Sequence, residues 1–326
     1  MPAYFNQGFS VREVPWHGLG EVLDHYPGRA EAMRLAGHDF KVVERPVEVV
    51  GNSSSKVAEG WKALVQSGTG NILAIVKDTY KVLQNAIGYD LAELLFDQGF
   101  RYETGVTLMD GALCAVTLRL DEPVRITGDD SKTLPYGWLN WSHDGSASMN
   151  VGTGTIRIVC ANTSHAAEME SKGLKTQFSF RHTKNAEARI EDAKAAIKGA
   201  RATMSVYVKM AEELATIPVT PGERDLFVST IIGERAGREN EATASARVLN
   251  NIERERAKVN SLFFGPTIPE GHKLTGYGLF LAGTEYADHL RNYRSRDSYV
   301  KRTLLDRNPF KANLNRTIRE ICAAAV

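Results

Sequence analysis

The sequence lacks most of the signatures that announce a chemistry. It has three cysteines, Cys114, Cys160 and Cys322, an odd count with none close to another. That excludes a disulfide framework and points to a reducing compartment. There is no Cys-x-x-Cys, no His-Glu-x-x-His and no Asp-rich calcium loop, and the histidines are scattered from His17 to His289. No metal and no cofactor is therefore expected. The glycine-rich stretches GTGNIL (68–73) and VGTGTI (151–156) lack the Lys-Ser/Thr ending of a P-loop and the full GxGxxG before a helix, so both read as turns between strands. No apolar run approaches the ~20 residues that span a bilayer. The stretch MPAYFNQGFS has no basic region followed by an apolar core. A cytoplasmic protein without a membrane partner is the expectation. Charge of one sign is missing too: 40 Lys and Arg face 39 Asp and Glu, a net +1 that selects no partner by itself.

What is present is an ordinary globular composition, 43% hydrophobic and 24% charged over 326 residues, enough for one large domain or two ordinary ones. Residues 1–38 read as irregular apart from a helical patch at AEAMRLAG. FKVVERPVEVVG reads as strand, turn at Pro46, strand. NILAIVKD and TYKVLQN are strand-like, and NAIGYDLAELLFDQG is helical, with Ile87, Leu91, Leu94 and Leu95 on one face and Gly99 to end it. Asp110-Gly111 and Asp144-Gly145 are hairpin turns between alternating runs. A short helix is expected near Asn162, and KTQFSFRH is a last strand. After His182 the pattern becomes helical. Ala186, Ile190, Ala193, Ile197, Ala200, Met204, Tyr207, Ala211 and Leu214 recur in steps of four and three, a heptad seam. The predicted architecture is α+β: a curved, mainly antiparallel β-sheet with packed helices over 1–182, then a helical, basic region over 183–326.

The most chemically dense stretch is WLNWSHDGSASMNVGTGTIRIVCANTSHAA, residues 138–167. A nucleophilic cysteine needs an imidazole beside it and a third group to orient that base. Cys160 has His165 five residues on and His143 across the hairpin. Yet Cys160 alternates with Ile156 and Ile158 on the apolar face of a strand, where a cysteine packs. Neighbours His143 and Asp144 point to opposite faces. Asp-Gly forms a turn first, and Asn162 and Thr163 serve as helix caps. No catalytic residue is assigned.

The basic residues are clustered. From Lys172 to Lys209 nine Lys/Arg face three acids, and from Arg291 to Glu320 nine face three again, +6 in each segment. Lys194, Lys198 and Arg201 share one helix face, and Tyr293, Tyr299 and Phe310 are interleaved in the second segment. Cations that track phosphates beside rings that stack on bases suit single-stranded nucleic acid. The candidate binding residues are Arg157, Lys184, Lys194, Lys198, Arg201, Arg291, Tyr293, Arg294, Arg296, Lys301 and Arg302.

Trp16–Gly20 (WHGLG), Tyr80–Asn85 (YKVLQN), His143–Ser146 (HDGS), Arg157–Asn162 (RIVCAN), His182-Thr183 and GTEYADHLRNYRS near the end follow one another as in a known family. In this set of motifs the chain resembles the phage/plasmid-like protein family, number 932 among the domains of unknown function. The resemblance covers most of the chain and implies no enzyme activity. It implies a phage or plasmid setting in a host cell, where DNA recombination, replication or evasion of host defence are the usual tasks. Together these features lead to the expectation of a single-stranded nucleic-acid-binding, strand-annealing protein that acts as a homo-oligomer, with DNA or RNA as partner. The alternatives are an enzyme acting on nucleotides or nucleic acid with its pocket at the 138–165 hairpin, and a virion or host-interaction protein that uses the heptad helix as its interface.

Overall fold

The computed structural model describes residues 5–12, 19–51, 54–157, 162–165, 177–180, 190–191, 194, 197, 200–236, 246–290 and 309–323. These residues build an α+β protein. The larger sheet runs β11(Asn162–His165), β10(Met149–Arg157), β9(Asp129–Ser142), β7(Leu113–Arg119), β6(Arg101–Leu108), β1(Phe5–Val11), β2(Glu21–Leu23). β8(Val124–Ile126) pairs with β9, and β12(Gln177–Phe180) pairs with β10. Every pairing in it is antiparallel except β1 with β2. A second, three-stranded antiparallel sheet has the order β3(Val42–Val50), β4(Ser55–Gln66), β5(Ile72–Lys77). The carboxy-terminal half is helical: α3(Ala200–Ala215), α4(Pro221–Ala236), α5(Ala246–Phe264), α6(Gly276–Glu285), a π-helical turn over Tyr286–Leu290, and α7(Pro309–Ala323).

Alternation along the strands decides which face of the large sheet is covered. Cys114, Val116 and Leu118 of β7 lie across from Trp141, Leu139 and Gly137 of β9, and all but the glycine belong to one buried cluster. α1(Arg29–Ala36) and α2(Asn85–Glu93) supply Ala32, Leu35, Ala36, Tyr89, Leu91 and Ala92 to the same cluster. Of the heptad seam, the side chains of Ile190, Ile197, Tyr207, Ala211 and Leu214 are described, and these are buried within the chain. Ile190 and Ile197 belong to this core, and Gln98 Nε2 donates to the Ile197 carbonyl at 2.9 Å, while Tyr207, Ala211 and Leu214 belong to the core of the helical half. The β8–β9 turn reaches into that second core. Ile126 is buried there, the Thr127 amide and hydroxyl donate to Glu212 Oε1, His272 Nε2 donates to the Thr127 carbonyl at 2.8 Å, and Tyr277 Oη donates to Asp129.

Several local expectations are corrected. The amino-terminal stretch is not irregular throughout: Phe5–Val11 is a strand antiparallel to β6. Asn6 clamps the β6–β7 turn, donating from Nδ2 to Asp110 Oδ1 at 2.7 Å and accepting the Asp110 N–H at 2.8 Å. Pro46 does not break the chain into two strands. It lies inside β3, at a register shift on an edge strand, where its missing N–H costs no ladder bond. Residues 80–84 of TYKVLQN are not a strand, because Gln84 satisfies β3 with its side chain: its amide accepts the Val42 N–H at 3.0 Å and donates to the Val42 carbonyl at 2.8 Å. Asn162 and Thr163 cap no helix; they pair with Arg157 and Ile156 in β11, a tertiary contact that overrides the capping preference.

Candidate functional site

His143 is part of a buried polar network and not of an open pocket. The end of β9 carries Trp141 and His143, and α2 begins with Asn85 directly beneath them. Asn85 Oδ1 accepts both the Trp141 indole N–H at 2.8 Å and His143 Nε2–H at 2.7 Å. Its Nδ2 donates to the carbonyls of His38 at 3.0 Å and Phe40 at 3.2 Å. His38 Nε2 donates to the Val106 carbonyl at 3.0 Å, which fixes the neutral tautomer and leaves Nδ1 to accept the Tyr89 hydroxyl at 2.9 Å. Burial pulls the His38 pKa down to about 4, partly opposed by the bond to Val106. Two segments far apart in sequence, His38 to Phe40 and Trp141 to His143, are thus joined through the Asn85 amide. His143 is 1% exposed, which keeps a substrate away from its imidazole. Asp144 turns instead to the loop and accepts the Ser146 N–H at 2.8 Å. Cys114 is also fully buried, and burial pushes its thiol far up. Cys160 lies outside the described residues.

Both tryptophans of WLNW are seated on glycine. A Cβ at Gly88 would lie 2.7 Å from the Trp141 ring, and one at Gly152, paired with Trp138 across the strands, would overlap that indole. The second polar centre is a brace between strands. A β-bulge between Tyr102 and Thr104 re-aims Glu103, which holds Arg119 Nη1 at 2.7 Å in a buried ion pair. Arg119 Nε reaches Asp121 at 2.9 Å, and Tyr26 Oη donates to the same carboxylate at 2.7 Å. Burial opposes ionisation of Asp121, but these two bonds hold its pKa below the ordinary value. Arg12, at φ 66, stacks over Tyr26 and faces Asp121 at 3.6 Å. Each guanidinium here faces a carboxylate, so the cluster ties strands together and offers no cation to an anion.

Of the basic residues singled out from the sequence, Lys194 is described: its ammonium is paired with Glu191 at 2.6 Å. Arg157 ends β10 and Arg201 lies in α3, with their side chains outside the description. Lys184, Lys198, Arg291, Tyr293, Arg294, Arg296, Lys301 and Arg302 lie outside the described residues.

The structure adds a surface that the sequence reading passed over, the outer face of the β3–β4–β5 sheet. Residues directly opposite in a ladder share a face. The register sets Arg45, Ala63 and Ile75 in one row, Trp61 beside Lys77, and Val43, Val65 and Ile72 in another. The inner face carries Val42, Leu64 and Val76 toward Phe40 and the rest of the chain. On that inner face Glu44 and Lys62 neutralise each other at 2.8 Å. On the outer face Arg45 and Lys77 face no carboxylate among the described residues. Trp61 is 41% exposed with the Lys77 ammonium 3.7 Å over its ring, and Ile72 and Ile75 are 67% and 55% exposed. The signal lay in GWKALV: alternation places Trp61, Ala63 and Val65 on one face with Lys62 and Leu64 on the other.

Antiparallel sheets joined to a helical carboxy-terminal half define the class as α+β. The chain belongs to the family described as Domain of unknown function (DUF932), which it matches over residues 72–307. That span starts at β5, so β3 and β4 precede it. Neither the curated proteins nor the solved structures hold a match to the chain. Among the described residues no helix is long and apolar enough to cross a membrane.

Proposed function

We propose that the protein binds single-stranded nucleic acid, DNA or RNA, on the outer face of the β3–β4–β5 sheet, in the phage or plasmid setting that its motif set implies. The observation that carries this reading is exposed Trp61 with its partner Lys77, and Arg45 on the same face one row over, with no carboxylate paired to either cation among the described residues. A base stacked on an aromatic side chain contributes ~1–3 kcal/mol whatever its identity, and nearby cations follow the phosphates. The exposed Ile72 and Ile75 widen the apolar floor for unstacked bases and suit a single strand better than a duplex, whose bases are turned inward. The sequence segments 172–209 and 291–320, each with an excess of six positive charges, suit the same polyanion.

Fluorescence anisotropy with labelled DNA and RNA oligonucleotides tests the proposal. Binding is expected at low salt, with log affinity falling against log salt at about −0.7 per phosphate contacted. Trp61→Ala weakens it by about 5- to 150-fold, the equivalent of one stacked base. Arg45→Ala and Lys77→Ala each flatten the salt slope by about 0.7. Absence of binding to any oligonucleotide at low salt refutes the function. Binding indifferent to all three substitutions refutes the site.

A further inference from the structure

The two outer edges of the small sheet are built differently. Among the described residues, β3 and β5 each pair with no strand but β4, and the outer edge of β3 is met at Val42 by the Gln84 side chain. An open edge is a template for another strand, and chains blunt it with proline and charge. β3 is blunted: Pro46 withholds an N–H, and Glu44, Arg45 and Glu48 line the strand. β5 is not. From Ile72 to Val76 it reads Ile-Leu-Ala-Ile-Val, with neither proline nor charge, and Ile72 and Ile75 are the exposed residues on its outer side.

We propose that β5 pairs antiparallel with β5 of a second copy of this chain, about a two-fold axis through Ile75, so that the two small sheets join into one of six strands. The occupant follows from self-complementarity. A two-fold axis perpendicular to a sheet keeps each residue on its own face, so a residue on the axis meets itself. With Ile75 on the axis, the exposed isoleucine of one copy covers that of the other. Lys77 and Asp78 then fall toward the Ile72–Leu73 end of the other copy, where a bulge shifts the register, so the only charged end of each strand meets an uncharged end. A parallel arrangement stacks Lys77 on Lys77, and an axis moved to Lys77 does the same; like charges directly opposite disfavour both. Antiparallel edges also need no connection between the copies, and main-chain hydrogen bonds supply the pairing. The inference stands apart from nucleic-acid binding, since assembly is read with no nucleic acid present. Its consequence for that reading is that two Trp61 faces become one continuous surface.

The test is sedimentation velocity on the full chain over a wide concentration series, with Ile75→Lys and Ile75→Glu as variants. Position 75 is solvent-exposed in the single chain, so both variants are expected to keep the parent's circular dichroism. The parent is expected to dimerise. Each variant alone is expected to be monomeric, because the axis opposes two like charges, and an equimolar mixture of the two is expected to dimerise again through a Lys–Glu pair. A parent that stays monomeric overturns the proposal, as does Ile75→Lys assembling like the parent. A mixture that stays monomeric overturns the two-fold at Ile75. Should the charged variants lose native circular dichroism, Ile75→Thr keeps a β-branched strand former, and unchanged assembly in it overturns the proposal equally.

Discussion

Asn85→Ala is the perturbation that most directly separates a structural polar network from an active site at the hairpin. The Asn85 side chain makes four hydrogen bonds, all in buried or part-buried surroundings: from Trp141 and His143 to its oxygen, and from its nitrogen to the carbonyls of His38 and Phe40. Alanine removes all four and leaves two ring N–H groups without their shared acceptor. A buried donor left without a partner costs about 1–3 kcal/mol, so the two together cost roughly 2–6. The carbonyls have a second lone pair each and add less. Alanine's better helix propensity at the first position of α2 returns only about half a kcal/mol. The expected loss is therefore about 4 kcal/mol, read as the shift in a urea unfolding curve followed by tryptophan fluorescence and by far-ultraviolet circular dichroism. A double-mutant cycle with Trp141→Phe isolates one arm, because phenylalanine keeps the apolar ring and drops the N–H. The two changes should be non-additive by about 1 kcal/mol or more. A loss below about 1 kcal/mol for Asn85→Ala, or strict additivity with Trp141→Phe, refutes the claim that this amide ties α2 to the sheet.

Other expectations concern the parts of the structure that surround this network. His38 has a folded pKa of about 4 against an ordinary 6.5, so the unfolded chain binds more protons between those values. Stability from this group is complete above about pH 6.5 and is lost as pH falls toward 4, by roughly 3 kcal/mol, and His38→Gln should flatten that slope of urea midpoint against pH; an unchanged slope refutes it. Arg119→Met strands the Glu103 carboxylate in a buried setting and is expected to cost about 3 kcal/mol, while adding Glu103→Met should recover much of the loss; a double variant no better than the single one counts against the brace. Gly88→Ala forces a methyl against the Trp141 ring and is expected to cost about 1–3 kcal/mol in thermal or urea unfolding, and a neutral result would mean the indole moves freely. Ile197→Asp places a charge in the core shared with α1 and α2 and is expected to cost about 3–5 kcal/mol, with a parental melting temperature as the refuting result.

The parts of the fold that were legible in the sequence are those with a local cause. Alternation in LCAVTLR marked β7, the Asp-Gly turns marked the β6–β7 and β9–β10 connections, and the spacing of Ile87 and Leu91 marked α2; Gly99, read as the end of that helix, instead closes a 3-10 turn over Phe96–Gln98 that follows it. The expectations that failed have non-local causes. Phe5–Val11 alternates poorly, with Gln7 and Gly8 in its middle, and is a strand because β6 lies beside it. Residues 80–84 looked like a strand because their apolar content is real. Their place beside β3 is taken by a glutamine side chain, which no periodicity reveals. The small sheet's outer face was missed for a related reason: net and local charge counts register neither a single tryptophan beside a lysine nor the neutralisation of Glu44 by Lys62 on the opposite face.

The motif set behaves differently from any one of its members. Residues 80–85 and 143–146 carry little alone: the first is a mixed hexapeptide, Tyr-Lys-Val-Leu-Gln-Asn, the second a turn preceded by His. Placed together they explain each other. Asn85 ends the first motif and accepts from His143, which opens the second; the ring of Tyr80, at the start of the first, lies 3.9 Å from where a Cβ on Gly145 would sit. Burial, and the nearby Asp144, push the Tyr80 phenol far up, so it stays a neutral hydroxyl at the mouth of the turn. The spacing of such motifs along a chain is then a record of which turns must meet, and the histidine that looks most catalytic in the sequence is there to complete an amide's hydrogen bonds.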